Sequence, residues 1–423
     1  MQAINIFNAV ISILFLLCYS YQMFYIPIAL FIKNKKHTKA KNNRYGVLIS
    51  ARNEEKVLGN LLDSLKSQTY DKRYFDIFVI ADNCTDSTAD IAREKGAYVY
   101  ERFNKVQVGK GYALDTLLTH IHTDHKDKNY DGFFVFDADN VLEEDYIAQM
   151  NKVFSEGYEI VTGYRNSKNY GDNWISAGNA LWFMRESRYL NGARMKLGVA
   201  SMVGGTGFMF SKRVIKECGG WKFFTLTEDL EFTAHNIIKG VKCGYCPNAV
   251  LYDEQPVKFS QSWKQRMRWS KGYLQVAGKY GGRLIKNMFR RGFSCYDLLM
   301  GIMPAYILTF VSVIFNTAAF AGMVIGGKDV MPMVLSALNS FGNMCLTMFI
   351  VGAITTVTEW KRIQCGSVKK ILFAFTFPFF MLTYIPVSFA AVFSKVQWSP
   401  IEHTVSVNAK QIKAKGKTKQ KDA

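Results

Sequence analysis

Four long stretches of the chain are apolar and contain no Asp, Glu, Lys or Arg. Each is long enough to cross about 30 Å of hydrocarbon as a helix, and they comprise residues 1–32, 298–327, 330–358 and 371–394. The first stretch lacks the basic start and the small-residue cleavage site of a signal peptide, which favours an uncleaved span. The pattern predicts an integral membrane protein with one N-terminal membrane helix and a C-terminal membrane region.

Between the first two of these stretches, short apolar runs alternate with helical patterns. The runs that predict strands are 46–50, 75–81, 97–100 and 133–136. A helix is predicted after the first run, because apolar residues there recur at helical spacing: Val57, Leu58, Leu61, Leu62 and Leu65. Another helix is expected after Gly109-Lys110-Gly111, as far as Leu118. This alternation predicts a mostly parallel sheet covered by helices.

Polar side chains collect where the predicted strands end. Residues 50–54 follow the first strand, Asp82 follows the second, and Asp137-Ala138-Asp139 follows the fourth. Open sheets bind ligands at the carboxyl ends of their strands. Asp137 and Asp139 could contribute to one Mg²⁺ or Mn²⁺ ion, whose remaining ligands would be substrate phosphates; a solvated acidic turn would have the same sequence. No G-x-G-x-x-G or Walker pattern follows the first strand, so neither a dinucleotide cofactor nor a P-loop is indicated.

Two later segments carry further candidate chemistry. Thr227 is a good helix N-cap, which would place Glu228 and Asp229 in the first turn of a helix that ends at Gly240. In the second segment Gln265, Arg268 and Trp269 are spaced so that they share one helix face. An amide, a guanidinium and an indole together suit a sugar and a diphosphate, since arginine pairs with phosphate in a fork. Each pattern alone could be accidental.

Residues 158–225 are rich in glycine and aromatic residues. The segments that stand out are Gly204-Gly205-Thr206-Gly207 and Gly219-Gly220-Trp221. Glycines allow a close approach of the backbone to a ligand, and exposed aromatic residues would line a sugar site. Turns and core aromatics explain the same composition, so both interpretations stay open for Gly205, Thr206 and Trp221.

Charge is strongly segregated along the chain. Of its 423 residues 49% are hydrophobic, yet the net charge is +19. A basic run follows the first apolar stretch, which by the positive-inside rule places residues 33–295 in the cytoplasm: Lys33, Lys35, Lys36, Lys39, Lys41 and Arg44. The segment 259–293 is basic and amphipathic, which predicts a pair of helices at the membrane interface rather than nucleic-acid binding. The eight cysteines are then expected to be reduced thiols.

The last residues create a conflict in this topology. Four full spans would put them outside, but a basic tail belongs in the cytoplasm; its lysines are Lys410, Lys413, Lys415, Lys417, Lys419 and Lys421. We therefore expect one apolar stretch to be re-entrant or interfacial. The stretch 371–394 is the first candidate, because Pro378 and Pro386 interrupt it.

With these landmarks in order, the chain resembles the family 2 glycosyltransferases, in particular the membrane-embedded processive branch of cellulose, hyaluronan, poly-N-acetylglucosamine and β-glucan synthases. The resemblance covers nearly the whole chain. It implies a cytoplasmic α/β domain of the GT-A (Rossmann-like) fold with transmembrane and interfacial helices. The expected division is a span at 1–32, the catalytic domain at 33–258, interface helices at 259–295, a membrane region at 296–396 and a tail at 397–423.

The resemblance also implies roles for individual residues. Asp82 would contact uridine with the loop residues Ser50, Asn53 and Glu54, and Lys110 and Arg268 would lie at the donor phosphates. Asp137 and Asp139 would hold the diphosphate through Mg²⁺ or Mn²⁺, with Asp139 the direct ligand. Asp229, in the Thr227-Glu228-Asp229 motif, would be the general base, and we expect it to need no raised pKa because it must stay ionised. Gln265 and Trp269 would position the acceptor sugar.

The function expected from the resemblance is processive, inverting polymerisation of glucose from UDP-glucose into a β-glucan, with export through the plasma membrane. The bonds would be β-1,4 or mixed β-1,3 and β-1,4. The alternatives are a poly-N-acetylglucosamine or hyaluronan-like synthase and single transfer to a lipid acceptor. Because this chain has fewer predicted spans than hyaluronan-type enzymes, a narrow pore or a homo-oligomer would be needed for export.

Overall fold

The computed structural model describes residues 2–33, 35, 37 and 40–418. Four lysines of the two basic runs therefore lie outside the described residues: Lys36, Lys39, Lys419 and Lys421. The strands are β1 (Tyr45–Ala51), β2 (Phe75–Asp82), β3 (Tyr98–Arg102), β4 (Gly132–Asp137), β5 (Val141–Leu142), β6 (Ile160–Ser167), β7 (Phe208–Ser211) and β8 (Cys243–Asp253).

The described helices before the last apolar stretches are α1 (Gln2–Tyr19), α2 (Tyr21–Phe31), α3 (Leu58–Lys66), α4 (Thr88–Glu94), α5 (Lys110–Asp124), α6 (Tyr146–Ser155), α7 (Trp174–Arg185), α8 (Gly192–Leu197), α9 (Lys212–Glu217) and α10 (Glu228–Lys239). The later ones are α11 (Phe259–Arg291), α12 (Phe293–Ile302), α13 (Pro304–Ile325), α14 (Met331–Thr358), α15 (Ser367–Leu382), α16 (Tyr384–Phe393) and α17 (Ala409–Thr418). A π-helical segment, Glu186–Asn191, joins α7 to α8.

One eight-stranded sheet, in the order β3-β2-β1-β4-β7-β6-β8-β5, forms the centre of the sheet domain, which we define as residues 45–253. The four predicted strands are confirmed as β1 to β4, and they are parallel to one another. The prediction of a mostly parallel sheet is confirmed, because β6 and β8 are also parallel to each other, and only the two short strands β5 and β7 run antiparallel to their neighbours. Alternate residues of the central strands face opposite sides, so Val47 packs towards α3 and Leu48 towards α5.

The predicted helix after β1 is confirmed, and its apolar face is fully buried against the sheet. The helix from Glu228 to Lys239 also forms as predicted, and Gly240 ends it with a left-handed φ of 79°. Thr227 occupies the cap position, but its hydroxyl makes no capping hydrogen bond. Its side chain instead packs against Gly272 of α11. A Cβ added at Gly272 would lie 2.5 Å from Thr227 Oγ1.

Trp221 belongs to the core of the sheet domain and not to a sugar site. It is 0% exposed and stacks on Phe232, with ring centroids 5.1 Å apart. Its indole N–H donates to the Phe223 carbonyl at 3.1 Å. The expectation that Trp221 lines the acceptor channel is therefore wrong, because a side chain without accessible surface cannot touch a sugar.

Within the described part of the chain, four helical segments are long and apolar enough to cross a membrane, and we call them the apolar helices: Gln2–Phe31, Phe293–Ile325, Met331–Thr358 and Ser367–Phe393. Just before the second apolar helix, the segment 259–293 forms one continuous helix up to Arg291. The prediction of a pair of interface helices is therefore wrong. Gly292 separates this helix from the next helix, and Pro304 starts α13 after a break at Met303.

Both ends of the last apolar segment lie against the sheet domain. At its start, Lys369 Nζ donates to the Gly171 carbonyl. Beyond its end, His403 Nδ1 lies 3.0 Å from the Glu54 carboxylate. The segment bends at Thr383, between α15 and α16. Residues 395–413 thus return to the side of the sheet domain, while the re-entrant or interfacial character of 371–394 stays a prediction.

Candidate active site

A single cavity of about 890 Å³ begins at the carboxyl ends of β1, β2 and β4 and continues between the apolar helices. The structure describes all sixteen predicted site residues, and thirteen of them line this cavity: Ser50, Glu54, Asp82, Lys110, Asp137, Asp139, Gly205, Thr227, Glu228, Asp229, Gln265, Arg268 and Trp269. The predicted residues are thus brought together by elements that lie far apart in the sequence.

Three predicted residues lie off the cavity wall among the described residues, and one of them is Trp221. Thr206 is buried, and its hydroxyl accepts the Asp137 backbone N–H at 2.9 Å, so it supports the acidic strand end instead of lining a channel. Asn53 has a left-handed φ of 57°, and its Oδ1 accepts the Thr85 N–H at 2.8 Å. Asn53 thus joins the loops after β1 and β2. Asn53 and Thr206 therefore support the cavity wall from behind, contrary to the prediction that they contact a ligand.

The acidic pair at the end of β4 is held in two different ways. Lys110 Nζ forms an ion pair with Asp137 and donates to the Gly205 carbonyl at 2.8 Å. Asp139 is only 4% exposed, and its Oδ2 accepts the Glu254 backbone N–H at 2.8 Å. Burial opposes the negative charge, but His403 and other nearby cations outweigh it and lower the pKa of Asp139. Both carboxylates therefore line the cavity, Asp137 beside the Lys110 ammonium and Asp139 near His403.

The donor set at this strand end fits a hard divalent cation. Asp137 and Asp139 both line the cavity and offer oxygen ligands, which Mg²⁺ and Mn²⁺ prefer. Among the described residues, no group of three or more His, Cys, Asp or Glu side chains surrounds this point. An ion held by two carboxylates would complete its shell with ligand phosphates and water.

The Asp82 side of the cavity is built from loops after β1 and β2. Asp82 is buried and accepts from Arg102 Nη1 at 2.6 Å. Next to it, Glu54 lies 3.0 Å from the Nδ1 of His403. Burial disfavours the imidazolium, but the carboxylates of Asp139 and Glu54 outweigh it and raise the pKa of His403 to about 10. His403 is therefore a cation at the rim of the cavity.

Glu228 and Asp229 form a carboxylate pair at the start of α10. Burial raises the pKa of Asp229, and burial together with the Asp229 charge raises the pKa of Glu228 to about 7. The pKa of Asp229 is thus raised although its expected role needs no raised pKa, because the cavity wall withdraws the carboxylate from water. Gly205, at φ 80°, brings its backbone close, since an added Cβ would lie 3.9 Å from Asp229 Oδ2.

Gln265, Arg268 and Trp269 do share one face of α11, and that face lines the cavity. Arg268 Nη1 donates to the Leu226 carbonyl at 3.0 Å, which fixes it just before the carboxylate pair. Trp269 lies edge-on to Phe183, with ring centroids 5.7 Å apart. Gln265 Oε1 is buried without a hydrogen-bond partner among the described residues. Such a group is stable only with a partner supplied from the cavity.

Several cavity residues were missed by sequence reasoning. Arg165, on β6, forms an ion pair with Asp253 and lies over the Phe183 ring, 3.6 Å from its centroid. Trp398 lies under the Arg52 guanidinium, 5.2 Å away, and lines the cavity with His403. A single arginine in a strand and a histidine 349 positions after its Glu54 partner carry no local signal of a site.

Comparison with known proteins places the central part of the chain in one family, since residues 43–272 match the family described as Glycosyltransferase like family 2. The chain is 27% identical over 301 residues to the probable glycosyltransferase YdaM of Bacillus subtilis, covering 66% of each protein. It is 26% identical over 332 residues to the beta-monoglucosyldiacylglycerol synthase of Nostoc sp., covering 75% of this chain and 65% of that protein. The chain thus spans slightly less than two thirds of these relatives.

Two more distant similarities agree with the fold. The poly-beta-1,6-N-acetyl-D-glucosamine synthase of Staphylococcus aureus is 23% identical over 239 residues, or 54% of each protein. The mannosyltransferase PcManGT of Pyrobaculum calidifontis, solved with GDP-Man and Mn²⁺, superposes with a TM-score of 0.58 at 16% identity, covering 92% of this chain and 99% of that chain. The expected GT-A-like α/β domain with apolar helices is confirmed.

Proposed function

Because the chain belongs to glycosyltransferase family 2, a family of transferases that use nucleotide sugars, we propose that it is a processive, inverting enzyme that polymerises glucose from UDP-glucose into a β-glucan. The supporting observation is the continuity of the cavity. It runs from the strand ends past the Asp229 carboxylate and extends between α1, α13 and α16. A growing chain elongated at Asp229 could therefore move directly into the apolar helices.

In this proposal, transfer is a one-step, in-line displacement. Asp229 takes the proton from the acceptor hydroxyl while the oxygen of that hydroxyl bonds to the anomeric carbon. The bond from that carbon to the diphosphate oxygen breaks, and its electron pair leaves on UDP. Arg268 and Lys110, both on the cavity wall, balance the charge that builds there. Attack opposite the leaving group converts an α-linked donor into a β-linked product.

We assign Asp137 and Asp139 to a Mg²⁺ or Mn²⁺ ion, which when bound neutralises the diphosphate. Their own contribution is to hold the donor at the strand end, close to the Lys110 ammonium. Asp82 lies where the base and ribose of the nucleotide would be read, with Ser50 and Glu54 beside it on the same wall. The donor would thus lie along the sheet edge with its sugar towards Asp229.

The cavity wall among the apolar helices supports a sugar chain as the occupant. It carries aromatic rings together with hydroxyl groups: Tyr19, Tyr306, Thr309, Tyr384 and Ser388. Aromatic rings pack on the faces of pyranoses, and hydroxyl groups exchange hydrogen bonds with sugars. A hydrocarbon tail would need no polar groups at this depth, where an unsatisfied one is destabilising. One chain provides this wall, so a pore through a single protomer suffices in this proposal.

The proposal places the sheet domain, within residues 33–258, in the cytoplasm. Donor nucleotide sugars are made there, and the described lysines Lys33, Lys35 and Lys41 follow the first apolar helix as the positive-inside rule requires. The apolar helices would then lie in the plasma membrane and deliver the glucan outward. A nucleic-acid partner has no place in this proposal.

A second candidate function is a single glucosyl transfer to a membrane lipid. The far part of the cavity is also lined by purely apolar side chains such as Phe15, Leu16 and Val392, which would suit an acyl chain. A relative of this chain is named as a beta-monoglucosyldiacylglycerol synthase. A polymer of N-acetylglucosamine is a third possibility for the product, because another relative is named as such a synthase.

The proposal is tested with washed membranes that contain the full chain. They are given radiolabelled UDP-glucose or UDP-N-acetylglucosamine, with Mg²⁺, Mn²⁺ or EDTA, and the product is digested with linkage-specific glucanases. We expect polymer from UDP-glucose only, none with EDTA, and a loss of roughly 10²–10⁴-fold in Asp229→Asn, the size of a general-base contribution. Asp90→Asn, at an exposed position, is the control.

Two results would contradict the glucan proposal. Label that enters only an organic-soluble product would identify the lipid acceptor, and incorporation only from the acetamido sugar would replace glucose. Full activity in Asp229→Asn would remove the assigned base and with it the mechanism.

A further inference from the structure

Beyond Asp229 the cavity passes the junction of α7 and α8, where the chain forms the π-helical turn Glu186–Asn191. Single π-helical turns are rare and often occur at functional sites, because the extra residue redirects side chains. Glu186 is the first residue of this turn, and it lines the cavity on the side of the apolar helices. The proposed chemistry gives it no role.

Glu186 is a carboxylate without a protein partner. The residue is half-buried, and its carboxylate makes no hydrogen bond and no ion pair with any residue that the structure describes. Burial raises its pKa, although Arg194, Arg165 and Arg185 lie near enough to counteract this in part. Because this half-buried carboxylate lines the cavity and its acceptor oxygens are unused by the protein, its hydrogen-bond donors are expected to come from the cavity itself.

Three other polar or aromatic side chains surround the same part of the cavity. The Arg185 guanidinium lies 5.0 Å from the ring centroid of Trp182, and its Nη2 donates to Gln22 Oε1 at 3.1 Å. Trp182 is half-buried, with one part of its indole towards the cavity and another towards Tyr384 at a centroid distance of 6.0 Å. Trp182, Arg185, Glu186 and Gln22 all line the cavity.

This group of four is held in place by a buried network. Gln22 Nε2 donates to the Tyr21 hydroxyl at 3.2 Å, and that hydroxyl donates to Asp297 at 2.6 Å. Asp297 in turn forms an ion pair with Arg194, and both side chains are at most 2% exposed. The positions of Arg185 and Gln22 are therefore fixed before any ligand binds, which is the requirement for a built site.

We propose that Trp182, Arg185, Glu186 and Gln22 form a second pyranose subsite, next to the one at Trp269 and on its membrane side. This inference rests on the proposed function. The indole packs on the apolar face of a sugar ring, the Glu186 carboxylate accepts from two ring hydroxyls, and Arg185 and Gln22 donate to the others. The occupant is a hydroxylated ring, either the preceding sugar of a glucan or the sugar of a glycolipid headgroup.

The subsite is tested by acceptor kinetics on the purified full chain. Transfer from UDP-glucose is measured with glucose, cellobiose and cellotetraose as acceptors, and separately with vesicles containing glucosyldiacylglycerol. We expect Glu186→Gln to raise the acceptor KM roughly 10- to 100-fold by removing the charge from its hydrogen bonds, and Trp182→Ala to raise it by a similar factor by removing the buried apolar contact. The KM for UDP-glucose should stay within about twofold of its original value, since the donor groups lie elsewhere. The rise should appear with acceptors of two or more sugars if a glucan occupies the subsite, and with the glycolipid vesicles if a headgroup does.

Matched variants separate binding from folding. Trp174→Phe lies on the same helix but stacks on Phe259, and Glu94→Gln is exposed on α4. Neither should change the acceptor KM, whereas Trp182→Phe should show part of the effect of Trp182→Ala. An unchanged acceptor KM in Glu186→Gln and Trp182→Ala would overturn the proposal. An equal rise in the KM of donor and acceptor, with a lower unfolding temperature, would show a purely structural role and overturn it too.

The failure of the proposed function has a different signature. If the unaltered chain transfers no sugar from any donor, the proposed function is wrong, and the subsite is judged by binding alone. Quenching of tryptophan fluorescence by cellotetraose that is lost in Trp182→Phe would still support it, and no binding of cellotetraose to the unaltered chain would overturn it.

Discussion

The buried ion pair between Arg194 and Asp297 provides the sharpest prediction for stability. Arg194 Nε lies 2.6 Å from Asp297 Oδ2, and the side chains are 2% and 0% exposed. Asp297→Asn leaves the guanidinium buried with a neutral neighbour and with the Asn191 side chain as its other partner. Removing one partner of such a pair destabilises by about 3–5 kcal/mol, because the remaining charge is not compensated.

That loss is large compared with the total stability of a domain, about 5–15 kcal/mol. At about 2–4 °C per kcal/mol for domains of 150–250 residues, the unfolding midpoint should fall by roughly 6–20 °C. It is measured on detergent-purified protein by tryptophan fluorescence, together with the transfer activity that survives heating. The acceptor KM should rise as well, because Tyr21 and Gln22 lose their anchor.

The control is an ion pair of the same chemistry on the surface. Asp90, paired with Arg93, has a side chain that is 74% exposed, so Asp90→Asn should cost no more than about 1 kcal/mol. Replacing both buried partners, as in Arg194→Leu with Asp297→Leu, should recover most of the stability lost in Asp297→Asn. An Asp297→Asn midpoint equal to that of Asp90→Asn, or a double variant with additive losses, would refute this reasoning.

Three further predictions concern the site and its supports. Lowering the pH should reduce transfer, because burial raises the pKa of Asp229 and its protonated form cannot accept a proton; Glu228→Gln removes a neighbouring negative charge and should shift the fall in the pH–rate profile to lower pH. Gly111→Ala should destabilise the protein by at least about 1–3 kcal/mol, because the new Cβ would lie 2.2 Å from a backbone carbonyl oxygen. Gly282→Ala, with open space around its Cβ, should stabilise it by about 0.5–1 kcal/mol. Thermal unfolding of the two variants measures both changes. His403→Ala should raise the KM for the nucleotide sugar about 10-fold by removing a charged hydrogen bond at the donor rim, and an unchanged donor KM would contradict this role.

The parts of the fold that were predictable are those with a strong local pattern. The first four strands are short apolar runs with turns after them, and α3 has a single apolar face, so burial follows from the sequence. The cavity residues on α10 and α11 were also predictable, because helical spacing alone puts Gln265, Arg268 and Trp269 on one face. Their convergence with Asp137 was expected from the family resemblance rather than from periodicity.

The parts that were not predictable depend on contacts distant in the sequence. Helix α7 is apolar on nearly all sides, because α15 packs on the face opposite the sheet, where Gly178 meets the Phe380 ring. Such a helix shows no polar stripe from which its orientation could be read. Trp221 and Trp182 both lie in the aromatic-rich segment 158–225, yet one is core and the other lines the cavity. Composition cannot separate these two outcomes, because burial is decided by the tertiary packing.

The contacts of residues 398–413 with the sheet domain have a consequence for the timing of protein synthesis. Trp398 and His403 complete the donor rim, but the ribosome makes His403 131 residues after Gly272, which ends the family match. At about 5–20 residues per second, this delay is roughly 7–26 s. During that interval the emerging sheet domain has its carboxylates but lacks part of its donor rim. Under the proposed function, the order of translation would delay sugar transfer until the apolar helices have been made.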